Sequence, residues 1–131
     1  MEVKTFRANE VIFEEGAPGG CMYEVARGKV GVFANYGPPE QKLLREYYPD
    51  HYFGEMGLLD NAPRSATAVA LTSDTWVAPI TEEGFDKIFR ENPARVWMIV
   101  QELSYNLRRR TLDYVEVCGK IKELTEKEEQ A

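Results

Sequence analysis

The strongest constraint on the fold is a change in the spacing of apolar residues near Ile80. Before Ile80 the chain reads as short β-prone runs separated by glycine and proline, and after it apolar residues recur at helical spacing. The predicted strands cover residues 10–13, 21–26, 29–34, 41–48, 65–70 and 75–80. Evenly spaced short strands of this kind are typical of an antiparallel sandwich or barrel. We therefore expect a mainly β fold followed by C-terminal helices.

Two helix starts are predicted after the strands. Thr81 is an N-cap candidate followed by two glutamates, and Asn92–Pro93 combines an N-cap with proline at the first helical position. Apolar residues of the second helix recur at alternating spacings of four and three, which is the pattern of an a/d seam. The seam consists of Val96, Val100, Leu103, Leu107, Tyr114, Val117, Ile121 and Leu124, with Arg110 as its one charged member.

The length of this helix predicts a partner. If it continues to about Glu128 it spans roughly 50 Å, more than a small barrel can cover. We therefore expect a homodimer formed through the long helix. Glycine in a helix interior costs about 1 kcal/mol of stability relative to alanine. A hinge at Gly119 is therefore an alternative to a continuous helix.

Length, charge and cysteine content limit the number of domains and the kinds of partner that the chain can have. The 131 residues suit a single domain, expected over 1–131 with a β-barrel at 1–80 and a helical lid or dimerisation segment at 81–131. The formal charge of −6 repels a phosphate backbone, so no direct contact with nucleic acid is expected. No run is long enough to span a bilayer, and Cys21 and Cys118 match no metal or redox spacing. We expect a cytoplasmic protein without metal or membrane contact.

The stretch 53–67 places a helix-like turn and an arginine in the middle of the β part. Gly54 lets the backbone turn, so that three following amides can point outward at a helix start, where free amides bind anions. These are the amides of Glu55, Met56 and Gly57. Arg64 returns to the mouth of the same concavity, and its guanidinium suits phosphate oxygens. A carboxylate beside an anion is costly unless it has a second role, so Glu55 is expected to accept hydrogen bonds from a sugar hydroxyl or to orient Arg64, and ribose recognition satisfies both conditions.

This ordered stretch, Phe-Gly-Glu, an aliphatic pair, a short loop and Arg-Ser-Ala-Thr, resembles the phosphate-binding cassette of the cyclic nucleotide-binding domain family. The family includes catabolite activators and protein kinase A regulatory subunits. Residues 12–16 and 22–30 resemble its first hairpins, and Asn92–Pro93 with the long helix resembles its closing helices. The likeness covers roughly residues 6–111 and implies a β jelly roll or barrel, a short helix and a long C-terminal helix.

The resemblance assigns roles by position. Arg64 corresponds to the arginine that binds the cyclic phosphate, and Glu55 to the glutamate that holds the ribose 2′-hydroxyl. Gly54 and Ser65 correspond to positions with close backbone or hydroxyl contacts. The purine is expected to meet the long helix near Arg110 or Thr111. The complete predicted ligand-binding set is Gly54, Glu55, Met56, Gly57, Arg64, Ser65, Ala66, Arg110 and Thr111. The expected ligand is cyclic AMP, with cyclic GMP left open, and no further cofactor is expected.

Departures from the family pattern concern the two ends and one turn. Asp50 stands near a usual glycine, although aspartate tolerates the left-handed conformation better than most residues. Little chain precedes Phe6, so the N-terminal helix of many relatives is expected to be missing or minimal. After the long helix we expect no output module. We expect a stand-alone sensor that acts on an unknown effector protein.

Three alternatives to this sensor are considered next on the same residues. Arg64 could instead pair with Glu55 inside an empty barrel, giving an interaction module without nucleotide, although buried ion pairs are seldom better than apolar pairs. The chain could also be the detached sensor half of a Crp-like transcription regulator. An enzyme is not expected, because no nucleophile and base are paired in the sequence and His51 is expected to be a loop residue.

Overall fold

The computed structural model describes residues 2–55, 58 and 62–130, with the backbone alone at 110, 113, 114, 117 and 128–130. The described residues contain eight strands and two long helical segments, and Glu55 and Leu58 also have helical backbone. The strands are β1 Lys4–Phe6, β2 Val11–Phe13, β3 Cys21–Arg27, β4 Val30–Ala34, β5 Lys42–Tyr47, β6 Tyr52–Phe53, β7 Thr67–Ala70 and β8 Thr75–Thr81. The helices are α1 Glu82–Glu91 and α2 Pro93–Gln130.

The strands form two antiparallel four-stranded sheets, in the orders β1-β8-β3-β6 and β2-β7-β4-β5. Most neighbours in these sheets are far apart in sequence, although β4 and β5 are consecutive. Strand β3, for example, pairs with β8 from Cys21 opposite Thr81 onward. Both sheets contribute to one apolar core, made of Tyr23, Val25, Val30, Tyr47, Phe53, Ala68 and Val77. The predicted β jelly roll with C-terminal helices is confirmed.

All six predicted strands are present, with ends that differ by no more than two residues. Strands β1 and β6 were not predicted. They have three and two residues, too few to display a period of alternating side chains. Their strand conformation comes from pairing, because β1 adds to β8 and β6 adds to β3. Asp50 has the left-handed backbone expected of it, with φ of 71°.

Both predicted helix starts are confirmed. The Thr81 hydroxyl accepts a hydrogen bond from the Gly84 amide at 3.2 Å, and the Asn92 side chain accepts one from the Arg95 amide at 3.3 Å. Helix α2 continues through Gly119 without a break and has 38 residues. It is therefore about 57 Å long.

The chain separates into two compact units, the first ending at Val96 and the second beginning at Trp97. The first unit holds both sheets, α1 and the first turn of α2. Within the described residues, no helix has the length and apolar character needed to cross a membrane.

Candidate anion-binding site

The backbone of Arg64 is fixed by the loop that follows β2. The Arg64 amide donates to the Ala17 carbonyl, and the Gly16 amide donates to the Arg64 carbonyl, both at 2.8 Å. Three residues after Arg64, the Thr67 hydroxyl accepts from the Glu15 amide at 3.0 Å. Two segments about fifty residues apart in sequence are thus joined, and the arginine enters the fold at a defined place.

The Arg64 side chain points into the fold and is only 6% exposed. Its Nη1 donates to the Gly54 carbonyl at 3.0 Å, and its Nη2 donates to the Cys21 sulfur at 3.6 Å. The guanidinium carbon lies 4.2 Å from the ring centre of Phe13 and 5.6 Å from that of Tyr23. Its Nε is buried and has no hydrogen-bond partner within the described part of the chain. A buried charged donor without a partner is costly, so this guanidinium retains capacity for a further acceptor.

Gly54 meets the arginine at close range. Its φ of +74° lies in the left-handed region, and a Cβ atom placed on it would be 2.9 Å from Nη1 of Arg64. Both conditions favour glycine here, one through backbone conformation and one through space. Glu55 follows directly, has helical backbone and is 6% exposed. The structure thus brings Gly54 and Arg64 into contact, and Glu55 is the next residue of the chain after Gly54.

The other predicted site residues fall into three groups. Ser65 is exposed and Ala66 is buried where the chain enters β7. Met56 and Gly57 lie outside the described residues, and so does the side chain of Arg110. Thr111 is exposed on α2, and its hydroxyl donates to the Leu107 carbonyl of the same helix at 2.9 Å. The purine contact assigned to Arg110 or Thr111 stays a prediction.

Three residues beside Arg64 were missed in the sequence, namely Phe13, Cys21 and Tyr23. Cys21 and Tyr23 are two positions apart on β3, so they share a face of the strand. Burial, followed by the hydrogen bond and charge of Cys21, raises the pKa of Tyr23 to about 12, while Arg64 acts in the opposite direction. The tyrosine ring stacks on Phe53, with ring centres 5.3 Å apart. These side chains form the wall against which the guanidinium packs.

A second contact network joins the start of α2 to the strand that leads into the site. Nη2 of Arg95 lies 3.0 Å from Oε2 of Glu24, and its Nε donates to the Tyr52 hydroxyl at 3.1 Å. Glu24 and Tyr52 face each other across β3 and β6. Burial is the largest cause of the raised pKa of Tyr52. Since Tyr52 and Phe53 immediately precede Gly54, α2 is tied to the chain two residues before the site.

Comparison with known proteins identifies relatives of this chain. The sequence profile described as "Cyclic nucleotide-binding domain" matches residues 3–92. The cyclic AMP receptor protein of Thermus thermophilus is 34% identical over 102 residues, which are 78% of this chain and 47% of that protein. A cAMP-dependent protein kinase regulatory subunit of Hypocrea atroviridis is 34% identical over 88 residues, 67% of this chain and 18% of that protein.

Solved structures with a similar fold include a catabolite activator protein and an enzyme with bound cAMP. The crystal structure of the Thermus thermophilus catabolite activator protein matches with a TM-score of 0.76 and 30% identity, covering 89% of this chain and 55% of that one. The cAMP-bound form of the EAL enzyme Bd1971 matches with a TM-score of 0.60 and 25% identity, over 93% of this chain and 32% of that one. The chain thus spans less than half the length of the curated relatives it matches.

Proposed function

The chain belongs to the cyclic nucleotide-binding domain family, and we propose that it is a sensor module that binds a cyclic nucleotide at Arg64 and couples binding to α2. The observation that carries this proposal is the buried guanidinium, which is 6% exposed and has an Nε without a hydrogen-bond partner among the described residues. A phosphate oxygen supplies both the charge and the acceptor that such a group lacks.

Each part of the ligand has a proposed partner. The cyclic phosphate binds Arg64 and the amides of the turn after Gly54, and Glu55 accepts from the ribose 2′-hydroxyl. The purine faces α2 near Arg110 or Thr111. Cyclic AMP is the favoured ligand because two relatives are named for cAMP and one similar structure holds it, with cyclic GMP as the alternative. The proposed role is binding, with no catalytic step.

A second copy of the chain is the proposed partner of α2. Apolar seam residues are well exposed, with Leu107 at 66%, Ile121 at 58% and Leu124 at 63%. Their heptad spacing suits a parallel or antiparallel helix pair. The effector that responds to α2 is proposed to be a separate protein, and the net charge of −6 disfavours direct nucleic-acid binding. Both cysteines are free thiols, in line with the proposed cytoplasmic location.

Calorimetry with cyclic AMP tests the role of Arg64. The variant Arg64→Gln loses charge-assisted hydrogen bonds worth about 1.5–3 kcal/mol each, so its affinity should fall more than tenfold. Arg64→Lys keeps the charge but not the fork, and should bind with intermediate affinity. Arg90→Gln removes an exposed arginine of α1 and serves as the matched control. Equal affinity of folded Arg64→Gln and wild type would refute the proposed role.

One observation favours a second candidate, an interaction module that no longer binds nucleotide. The Arg64 guanidinium already packs on Phe13 at 4.2 Å and donates to the Gly54 carbonyl. An arginine with these contacts can serve a structural purpose alone. This candidate predicts no heat and no thermal shift when the wild-type protein meets cyclic AMP or cyclic GMP.

A further inference from the structure

We propose that Cys21 is a covalent modification site inside the candidate anion-binding site, where Arg64 directs anionic electrophiles to the sulfur and where the same thiol can be oxidised by peroxide. Cys21 is a free, partly buried cysteine at the start of β3. Its Sγ accepts from Nη2 of Arg64 at 3.6 Å. Reactive protein thiols occur in electropositive and partly exposed surroundings of this kind, whereas thiols in apolar surroundings are inert.

A second observation is that a donor of the same guanidinium has no acceptor among the described residues. Arg64 is more than nine-tenths buried, and its Nε has no partner within the described part of the chain. Nε of the guanidinium is buried and lacks an acceptor, while Nη2 contacts the sulfur, so an anion that enters beside the sulfur would satisfy this donor. A reagent with a negative group can bind this donor while its reactive atom meets Sγ.

The chemistry requires only a small electrophile. With iodoacetate, the sulfur forms a bond to the methylene carbon, the carbon–iodine bond breaks, iodide leaves and the thiol proton passes to solvent. With hydrogen peroxide, the sulfur forms a bond to one oxygen and the oxygen–oxygen bond breaks. The sulfur loses two electrons to give a sulfenic acid, and the departing hydroxide takes up the thiol proton as water.

The modified side chain occupies space beside the guanidinium. Carboxymethylation adds a carboxylate within reach of Arg64, which can then hold it in place of an external anion. Modification of Cys21 and binding of a cyclic phosphate should therefore exclude each other. This last link rests on the proposed function, whereas the thiol chemistry does not.

The chain contains its own control thiol. Cys118 is exposed on α2. In Cys118→Ser protein only Cys21 reacts, and in Cys21→Ser protein only Cys118 reacts. The measured quantity is the rate with iodoacetate divided by the rate with neutral iodoacetamide, followed by mass spectrometry. Because a positive site concentrates anions, this ratio should be about tenfold higher at Cys21 than at Cys118.

Arginine variants separate charge from fold. Arg64→Gln, in the Cys118→Ser background, should reduce the ratio at Cys21 to the value found at Cys118, and Arg64→Lys should keep most of the preference. Thermal unfolding identifies which variants are folded. The proposal is overturned if the iodoacetate-to-iodoacetamide rate ratio of Cys21 equals that of Cys118 in the folded Cys118→Ser and Cys21→Ser proteins, both of which retain Arg64. This outcome does not depend on whether any Arg64 variant folds.

Two further measurements test oxidation and the link to the ligand. Dimedone should trap a sulfenic acid at Cys21 after peroxide treatment, and its absence would overturn the oxidation. Cyclic AMP should protect Cys21 but not Cys118, and carboxymethylated protein should lose cyclic AMP binding. If the wild-type protein binds cyclic AMP without protection, the link is wrong and the proposed function stands. If wild type binds no nucleotide, the proposed function fails, and the iodoacetate ratio still decides the role of the thiol.

Discussion

Replacing Arg95 by methionine should loosen the start of α2 from the sheet. Met keeps much of the aliphatic volume of Arg95 but removes the ion pair to Glu24 at 3.0 Å and the hydrogen bond to Tyr52 at 3.1 Å. The side chains of the ion pair are 22% and 21% exposed, so solvent screens them only partly. A hydrogen bond to a charged group contributes about 1.5–3 kcal/mol, and water can still reach the Glu24 carboxylate. We expect Arg95→Met to lower the free energy of unfolding by about 2–3 kcal/mol.

A double-mutant cycle isolates the contact between Arg95 and Tyr52. Tyr52→Phe removes only the hydroxyl that accepts from Nε, and should cost about 1.5 kcal/mol. Because both substitutions remove the same hydrogen bond, the double variant should be more stable than the sum of the single effects predicts, by about 1 kcal/mol.

Urea unfolding followed by circular dichroism supplies these free energies. Arg90→Met is the matched control, since it removes an exposed arginine of α1 and should change stability by no more than about 0.5 kcal/mol. If Arg95→Met stays within that limit, or if the two substitutions are additive, then the contacts of Arg95 do not stabilise the start of α2 and the reasoning is refuted.

Two more predictions concern the site itself. Gly54→Ala should destabilise the protein by about 1–2 kcal/mol from its positive φ alone, and it should displace Arg64 and so lower the affinity for cyclic AMP. Gly119→Ala, in open space on α2, should instead stabilise the protein by about 1 kcal/mol. Equal urea midpoints for the two variants would contradict this reasoning. The pKa of Tyr23 rises from 10.0 to about 12 on folding, so its contribution to stability is complete below pH 10 and is lost as the pH approaches 12. Tyr23→Phe should therefore show a weaker loss of stability over that range, and an identical pH dependence would count against the assigned pKa.

Features that depend on a few neighbouring residues could be predicted from the sequence, whereas contacts between distant segments could not. Glycine and proline between apolar runs indicated six strands, and capping residues indicated both helices, because these signals act over a few residues. The cassette could be predicted because Gly54, Glu55 and Arg64 lie within one short stretch. Cys21 and Phe13 could not be placed beside Arg64, since that requires the order of strands in the two sheets. The contact of Arg95 with Tyr52 joins residues 43 positions apart, and no local pattern signals it.

The contacts of Arg95 and those of Arg64 both reach the short segment from Tyr52 to Gly54. Arg95 holds the Tyr52 hydroxyl, and Arg64 holds the Gly54 carbonyl. A phosphate that draws Nη1 of Arg64 away from Gly54 therefore changes the short segment to which the start of α2 is tied. A ligand can shift such an equilibrium only by its difference in affinity for the two arrangements, and the coupling is reciprocal. If the segment from Tyr52 to Gly54 couples the ligand site to α2, then Tyr52→Phe, which weakens the contact of α2 with this segment, must change the affinity for cyclic AMP. By reciprocity, the factor must equal the one by which bound cyclic AMP changes the equilibrium constant for attachment of α2. An affinity unaltered by that single hydroxyl would place the connection elsewhere.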